Sequence, residues 1–407
     1  MTALTDLDAR LSLSRIAEPA DPLVSQVIAQ CGAPKAWELI FQAAHVESLG
    51  AEKATQKLSE ILCIESPQQR GHLTKVKTRW NARLPVVNPD HDRRAAIALG
   101  AHLVCPHDDL WPARLDDLDD CAPWMLWVRG NPETLVTAPA HLSVVGSRNP
   151  TAYGEHVTAH IIAGLDNTRT LLVSGGAFGI DARAHHGALA QEMLSVAVLA
   201  GGVDRLYPAG NQRLLESLIA RGCVVSEMPV GAAPSRVRFL RRNRLIAALS
   251  DVTLVVEAAW RSGSLSTARH AQDIGRTVLA VPGPVTSAQS AGCHRLIRDG
   301  EARLVSEPAD VRGALESAMR GSGLTEIQDG AQDMPTTMRS TGGGEFDLLS
   351  EIQRCVFEAL SPYRFRHLSD LAQIAGLGIL EIRDVLGSLE VKGLVTCDRD
   401  SYRRTTQ

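Results

Sequence analysis

LSVVGSRNPTAYGEHVTAHIIAGLDNTRTLLVSGGAFGID, residues 142–181, decides how the rest of the chain is read. It opens on an apolar stretch (142–145) and turns through Gly146, Ser147 and Arg148. An amphipathic helix follows, then a second apolar stretch (171–173) that ends in SGGAFGID. Strand, glycine turn and helix in that order form the βα unit of a parallel sheet. A glycine turn that opens a helix presents backbone N–H groups, and the helix dipole adds about half a positive charge there. Two such turns on neighbouring strands, one carrying Arg148, predict a phosphate-rich ligand.

The alternation continues over residues 141–305. Strands are predicted at 142–145, 171–173, 196–199, 224–226, 254–256 and 278–281, with an edge strand at 302–305. Helices at 155–165, 180–191, 212–220, 239–249, 266–275 and 294–298 separate them. The fold class is therefore α/β: an extended Rossmann-like, doubly wound, mostly parallel sheet covered on both faces. Ahead of it, apolar residues at helical spacing in 22–32, 34–45 and 53–62 predict a helical packing domain over residues 1–81. It shows no glycine hairpin of the helix-hairpin-helix kind. Between 84 and 135, AHLVCP and WMLWVRG read as short strands, with Trp111, Trp124 and Trp127 as core.

The sheet domain is expected to span 82–310. A linker rich in Gly, Ser, Thr and Gln follows at 311–346. Residues 347–407 then show three helices (351–360, 367–374, 380–392) and a β-wing (394–403), the winged-helix pattern. From 345 to 407 there are eight Lys/Arg against ten Asp/Glu, which favours an interaction module over a groove reader.

The net charge is −4 over 407 residues, so nucleic-acid binding requires a local patch. The eight cysteines are scattered, without CxxC or zinc spacing, which predicts reduced thiols and no metal site. No apolar run approaches the ~18 residues of a membrane helix. The mixed, acid-bearing N-terminus does not read as a signal peptide, so the expectation is a cytoplasmic protein with no membrane contact.

Open α/β sheets bind ligands at the carboxyl ends of their strands. Five loops converge there: Gly146–Arg148, 174–181, 200–202 with Gly201 and Gly202, 262–264 (Ser262, Gly263 and Ser264), and 282–283. Ser174 lacks the elbow of an esterase nucleophile, and no lysine follows a glycine loop as in a P-loop. Asp181 and His185 stand one helical turn apart, but an acid at a helix start serves its free N–H groups, and His185 reads as packing. The densest charge is SRVRFLRRNRLIA at 235–247: Arg236, Arg238, Arg241, Arg242 and Arg244, with no acid between Glu227 and Asp251. Arginine forks bind phosphate in bidentate fashion. Phe239 within the run suits either base stacking or the core.

These stretches resemble the DNA-processing protein A family (DprA, also called Smf). The resemblance rests on VVGSRNPTAYG, SGGAFGIDARAHHGAL, VLAGGVDRLYPAGNQRL, VVSEMPVGAAP, RRNRLIAALSDVTLVVEA, RSGSLSTARHAQDIGRTVLAVPG and GCHRLIRDGEARLV, in order over 142–305. It implies an extended Rossmann fold, a homodimer formed through it, single-stranded DNA as ligand, and no catalysis or cofactor. It also implies loading of the RecA recombinase onto that DNA, in natural transformation or recombination. By position, Arg148 would grip a phosphate, and Ser174, Gly175, Gly176, Ala177 and Gly179 would offer backbone donors. Arg213 follows the YP segment, and Arg242, Asn243 and Arg244 form the family's RNR signature beside the DNA path, next to Phe239 and Arg241. Leu240 stands where the family usually has proline. The competing enzymatic reading is a nucleotide hydrolase resembling the cytokinin-activating phosphoribohydrolases. Their loop carries a glutamate that RSGSLSTARHAQ lacks. A dehydrogenase is disfavoured because no acid ends the strand after SGGAFGID.

Overall fold

The computed structural model describes residues 5–45, 50–321, 352–353, 356–357, 360, 366–368, 371, 379–391, 394–398 and 400–404. The chain divides into two compact units, Met1–Glu326 and Ile327–Gln407.

In the first unit, helices α1 (Asp6–Ile16), α2 (Pro22–Ala44), α3 (Ala51–Ile61) and α4 (Pro67–Arg83) enclose one core. Leu13, Val24, Ile40, Leu58, Leu73 and Trp80 fill it. α2 breaks at Gly32, so its two halves match the two stretches read at 22–32 and 34–45. A fifth helix, α5 (Pro89–Leu99), falls where the sequence reading had only strands and turns; Asn88 caps its start and Gly100 closes its end.

Nine strands then form one sheet: β1 (Ala101–Val104), β2 (Leu126–Gly130), β3 (Ala140–Val145), β4 (Thr170–Ser174), β5 (Ser195–Val198), β6 (Cys223–Ser226), β7 (Val252–Val255), β8 (Thr277–Ala280) and β9 (Arg303–Leu304). Their order is β1-β2-β6-β5-β4-β3-β7-β8-β9. β3 to β9 are parallel, while β1 and β2 join antiparallel beyond β6. A one-turn helix, α6 (Thr134–Thr137), lies between β2 and β3 in the chain. The nine strands form the mostly parallel, doubly wound sheet expected. Its central strands are buried along their whole length, which is why they read as short apolar stretches rather than as apolar–polar alternation.

Alternate side chains point into two cores. Leu142, Val144 and Leu172 face α7 (Ala152–Ala163), α8 (Ile180–Ala190) and α13 (Pro308–Gly321). Val145, Leu171 and Val173 face α10 (Arg236–Ala248), α11 (Ser264–Asp273) and α12 (Ala291–Arg298). Residues 311–321, read as the start of a linker, belong to α13. Val311, Ala314 and Leu315 recur at helical spacing and are buried against the sheet. Residues 322–350 of that expected linker lie outside the described residues.

The helical bundle does not stand apart from the sheet. Leu11 of α1 packs among Trp127, Ala197 and Leu199. Arg15 pairs with Asp92 of α5 and donates to the Val230 carbonyl at 2.9 Å.

In the second unit, a helix Ile379–Val391 and a three-stranded antiparallel sheet surround Phe357, Leu386, Leu389, Val395 and Tyr402. The strands are Arg366–His367, Val395–Asp398 and Ser401–Arg404. The helix and the hairpin fall where the third helix and the wing were expected. Most of the first two expected helices lies outside the described residues.

Candidate nucleic-acid interface

From β3 the chain winds through β4 and β5 to β6, then returns to lay β7 on the other side of β3. Loops after strands on either side of such a reversal diverge and leave a crevice at the carboxyl ends. Here the crevice is a cleft of about 830 Å³. Its walls are Gly146, Ser147 and Arg148 after β3, Ala177 and Asp181 after β4, Tyr207, the start of α10, and Arg261, Ser262, Gly263 and Ser264 after β7.

Phe239, on the first turn of α10, lies at the centre of this wall. The Arg148 guanidinium carbon is 5.3 Å from its ring centroid, the Arg242 carbon 5.7 Å, and the Tyr207 ring 5.8 Å. Phe239 is half-buried, and Arg148, Tyr207, Arg236 and Arg261 are exposed. None of these three exposed arginines has an ion-pair partner among the described residues. The arrangement is an aromatic surface flanked by cations, apolar enough for a base and charged enough for its phosphates.

The two glycine turns differ from their sequence reading. Both helix starts already hold a carboxylate of the protein itself. After β4, Asp181 accepts the N–H groups of Gly175 (3.2 Å) and Ala177 (3.4 Å). Burial pushes the Asp181 carboxyl up, against the Arg242 charge and these hydrogen bonds, which favour its ionised form. After β3, the N–H and hydroxyl of Thr151, the cap of α7, donate to Glu257 at 2.9 and 2.6 Å. The Ser174 hydroxyl donates to the Val144 carbonyl at 2.6 Å. Gly179 has φ 79°, and a Cβ there would lie 2.3 Å from the Ser147 carbonyl oxygen. Gly179 and Gly176 therefore shape the turn, and Gly175 and Ala177 do not offer free donors to a phosphate. His185, buried and 2.8 Å from the Ser195 hydroxyl, is brought down to about 3 chiefly by burial. It is neutral at pH 7 and is not an acid–base partner of Asp181.

Most of the arginine run also faces inward. Arg238 pairs with Glu18, and Arg241 donates to the Pro19 carbonyl. Arg244 forms a fork on Glu227, two bonds of 2.6 Å, and reaches the Cys121 carbonyl. Arg242 holds the Gly175 and Val198 carbonyls and borders the cleft with its remaining edge. Burial, with Arg148 adding to it against Asp181, brings its guanidinium down to about 10, still charged at neutral pH. Asn243 donates to the Gly263 carbonyl at 3.2 Å and fixes the start of α11. α10 runs unbroken through Leu240, so the RNR side chains keep helical spacing. Of the run, Arg236 alone is exposed without such a bond among the described residues.

The remaining expected residues separate. Gly201 and Gly202 are buried beneath residues 229–234, where Gly202 donates to the Ala232 carbonyl at 2.9 Å. Arg213 is exposed on α9 (Gln212–Arg221) but does not line the cleft. Arg236, expected as part of the arginine run, lines the cleft, as do Tyr207 and Arg261, which carry no such expectation; the signal available for those two was a polar-tipped side chain in a loop at a strand end. Among the described residues, no three His, Cys, Asp or Glu side chains gather as a metal site. Nor is any helix among them long and apolar enough to cross a membrane.

The profile of the DNA recombination-mediator protein A family matches residues 102–316. A relative named as a DNA processing protein DprA in Mycobacterium tuberculosis strain H37Rv is 40% identical over 333 residues, 79% of this chain and 82% of its own. The DNA processing protein DprA of Streptococcus pneumoniae strain R6 is 40% identical over 209 residues, 51% of this chain and 72% of its own. An X-ray structure of DNA processing protein A from Streptococcus pneumoniae superposes with a TM-score of 0.60 at 29% identity, covering 77% of this chain and 98% of that one.

Proposed function

The chain belongs to the DNA recombination-mediator protein A family, and from that premise we propose that it binds single-stranded DNA in the cleft beside β3 and β7. The observation that carries this reading is the Phe239 ring with Arg148 and Arg242 against it at 5.3 and 5.7 Å. Such a platform suits any unpaired base, and a duplex, with its bases stacked inside, has none to offer. Arg148, Arg236 and Arg261 take the phosphates. Asp181 and Glu257 occupy the two helix starts, so binding relies on side-chain cations rather than on backbone cradles. Arg242, Asn243 and Arg244 act by positioning: they hold the ends of β4 and β5, the start of α11, and Glu227.

The finer reading follows the family. The bound strand is handed to the RecA recombinase, in transformation or recombination, by a homodimer formed through the sheet domain. The second unit serves as a winged-helix interaction module. No turnover is assigned to the cleft, because the carboxylate nearest its wall, Asp181, is tied to two backbone amides. The hydrolase alternative has no free carboxylate in register. Release of free base from nucleoside monophosphates above background would restore it.

The test is fluorescence anisotropy of labelled oligo-dT with a duplex competitor. Tight binding, weak competition by duplex and a large loss with Arg148→Ala are expected. Wild-type protein that ignores the oligonucleotide at low salt, or an alanine variant that binds as well, would overturn the assignment.

A further inference from the structure

Resting on the reading of the cleft as a single-strand site, we propose that Trp260 is a second base-stacking platform, where the strand leaves the cleft. The residues on either side of it, Ala259 and Arg261, line the cleft, as does Gln289 just ahead of α12. Trp260 does not itself line the cleft; it stands beside the wall, next in the chain to Arg261. Trp260 is 53% exposed, whereas the other five tryptophans are buried or half-buried.

The ring is held in place. The Ser262 N–H donates to the Ala259 carbonyl at 3.0 Å, which closes the loop into a turn. The Gly292 N–H donates to the Ala258 carbonyl at 2.7 Å, and a Cβ at Gly292 would lie only 2.7 Å from that oxygen. α12 is thereby pressed onto the loop. It sets the Arg295 guanidinium carbon 5.4 Å from the Trp260 ring centroid. An exposed indole with a cation against it, next in the chain to the exposed Arg261, repeats the Phe239 arrangement beside the same cleft. A stacked base gains ring contact, and its phosphates meet Arg261 and Arg295.

The experiment follows intrinsic tryptophan emission while oligo-dT is titrated into the full chain, with Trp260→Phe and Trp260→Ala in parallel. Quenching in the wild type that disappears in Trp260→Phe is expected. Phenylalanine still offers a ring, so that variant keeps its affinity within about two-fold, whereas Trp260→Ala loses roughly ten-fold. An abasic oligonucleotide separates stacking from charge: it should bind wild type and Trp260→Ala equally. Binding that leaves the emission unchanged, or an alanine variant with full affinity for oligo-dT, would overturn the platform and leave the cleft reading standing. A Trp260→Ala loss of equal size on the abasic strand would overturn it too, by making the site a phosphate contact. Wild-type protein that does not bind oligo-dT at all would overturn both readings.

Discussion

Arg148 and Arg244 carry the same guanidinium and do opposite things with it. Arg148 is exposed, with its guanidinium carbon 5.3 Å from the Phe239 ring centroid and no ion-pair partner among the described residues. Arg244 is buried and forked on Glu227, with side-chain exposures of 4% and 9% for the pair. Removing one partner of a buried pair leaves the other charge without compensation, which costs about 3–5 kcal/mol. Arg244→Ala should therefore lower the urea midpoint sharply, and Arg148→Ala should leave it in place while weakening oligo-dT binding. Equal midpoints for the two variants would refute the division between gripping and positioning arginines. Gly175 is a third case. A Cβ there would sit 2.4 Å from an Arg242 guanidinium nitrogen that is fixed by two carbonyls. Overpacking of this kind costs about 1–3 kcal/mol, so Gly175→Ala should be destabilising without any change of charge, as read from the same urea curve.

α10 gathers these roles on one helix, and its ties explain what the sequence could not display. Arg238 reaches Glu18, 220 residues away, with two bonds of 2.9 Å, and Arg83 reaches the same carboxylate at 2.8 Å. Burial pushes the Glu18 carboxyl up, but the hydrogen bonds and charges of Arg238 and Arg83 together outweigh it and bring it from 4.5 to about 2. A carboxylate whose folded pKa lies below its unfolded one stabilises the fold above the unfolded value, and that stability fades as pH falls toward the folded value. The contribution is thus complete above about pH 4.5 and disappears on acidification toward pH 2. Glu18→Gln should flatten the fall of unfolding free energy across that window, measured by urea curves at a series of pH values; slopes identical to wild type would show that the pair contributes nothing. The central strands of the sheet were legible because they are short, buried, mostly apolar runs, several of them closed by glycine. α5 was legible and overlooked, since Asn88, Pro89 and Gly100 mark both its ends. The direction of the arginines was not legible. Their acids, Glu18 and Glu227, stand outside the run, and only folding brings them against it. The filled helix starts were half legible: Asp181 read as serving N–H groups, but Glu257, 106 residues from Thr151, gave no local sign.

A chain of net charge −4 must bind a polyanion through the few cations it leaves uncompensated. At the cleft these are Arg148, Arg236 and Arg261, exposed and without ion-pair partners among the described residues. Single-stranded DNA releases about 0.7 counterion per neutralised phosphate, so a strand that meets these three arginines and stops short of Arg295 predicts a slope of about −2 for log affinity against log salt. Had all five arginines of the run joined Arg148 and Arg261 on the strand, the slope would approach about −5. A short oligo-dT, long enough for one cleft only, keeps the measurement to a single site. Arg236→Ala should make the slope shallower by about 0.7, and Arg238→Ala should leave it alone while lowering stability, because its guanidinium belongs to Glu18. A slope near −5, or one that responds to Arg238→Ala, would mean that DNA draws the inward arginines out of their ion pairs. Binding would then require the contact between the N-terminal helices and α10 to open, and oligo-dT would speed amide hydrogen exchange in those helices. A slope near −2 together with exchange that is unchanged or slowed there is the outcome expected of a preformed cleft.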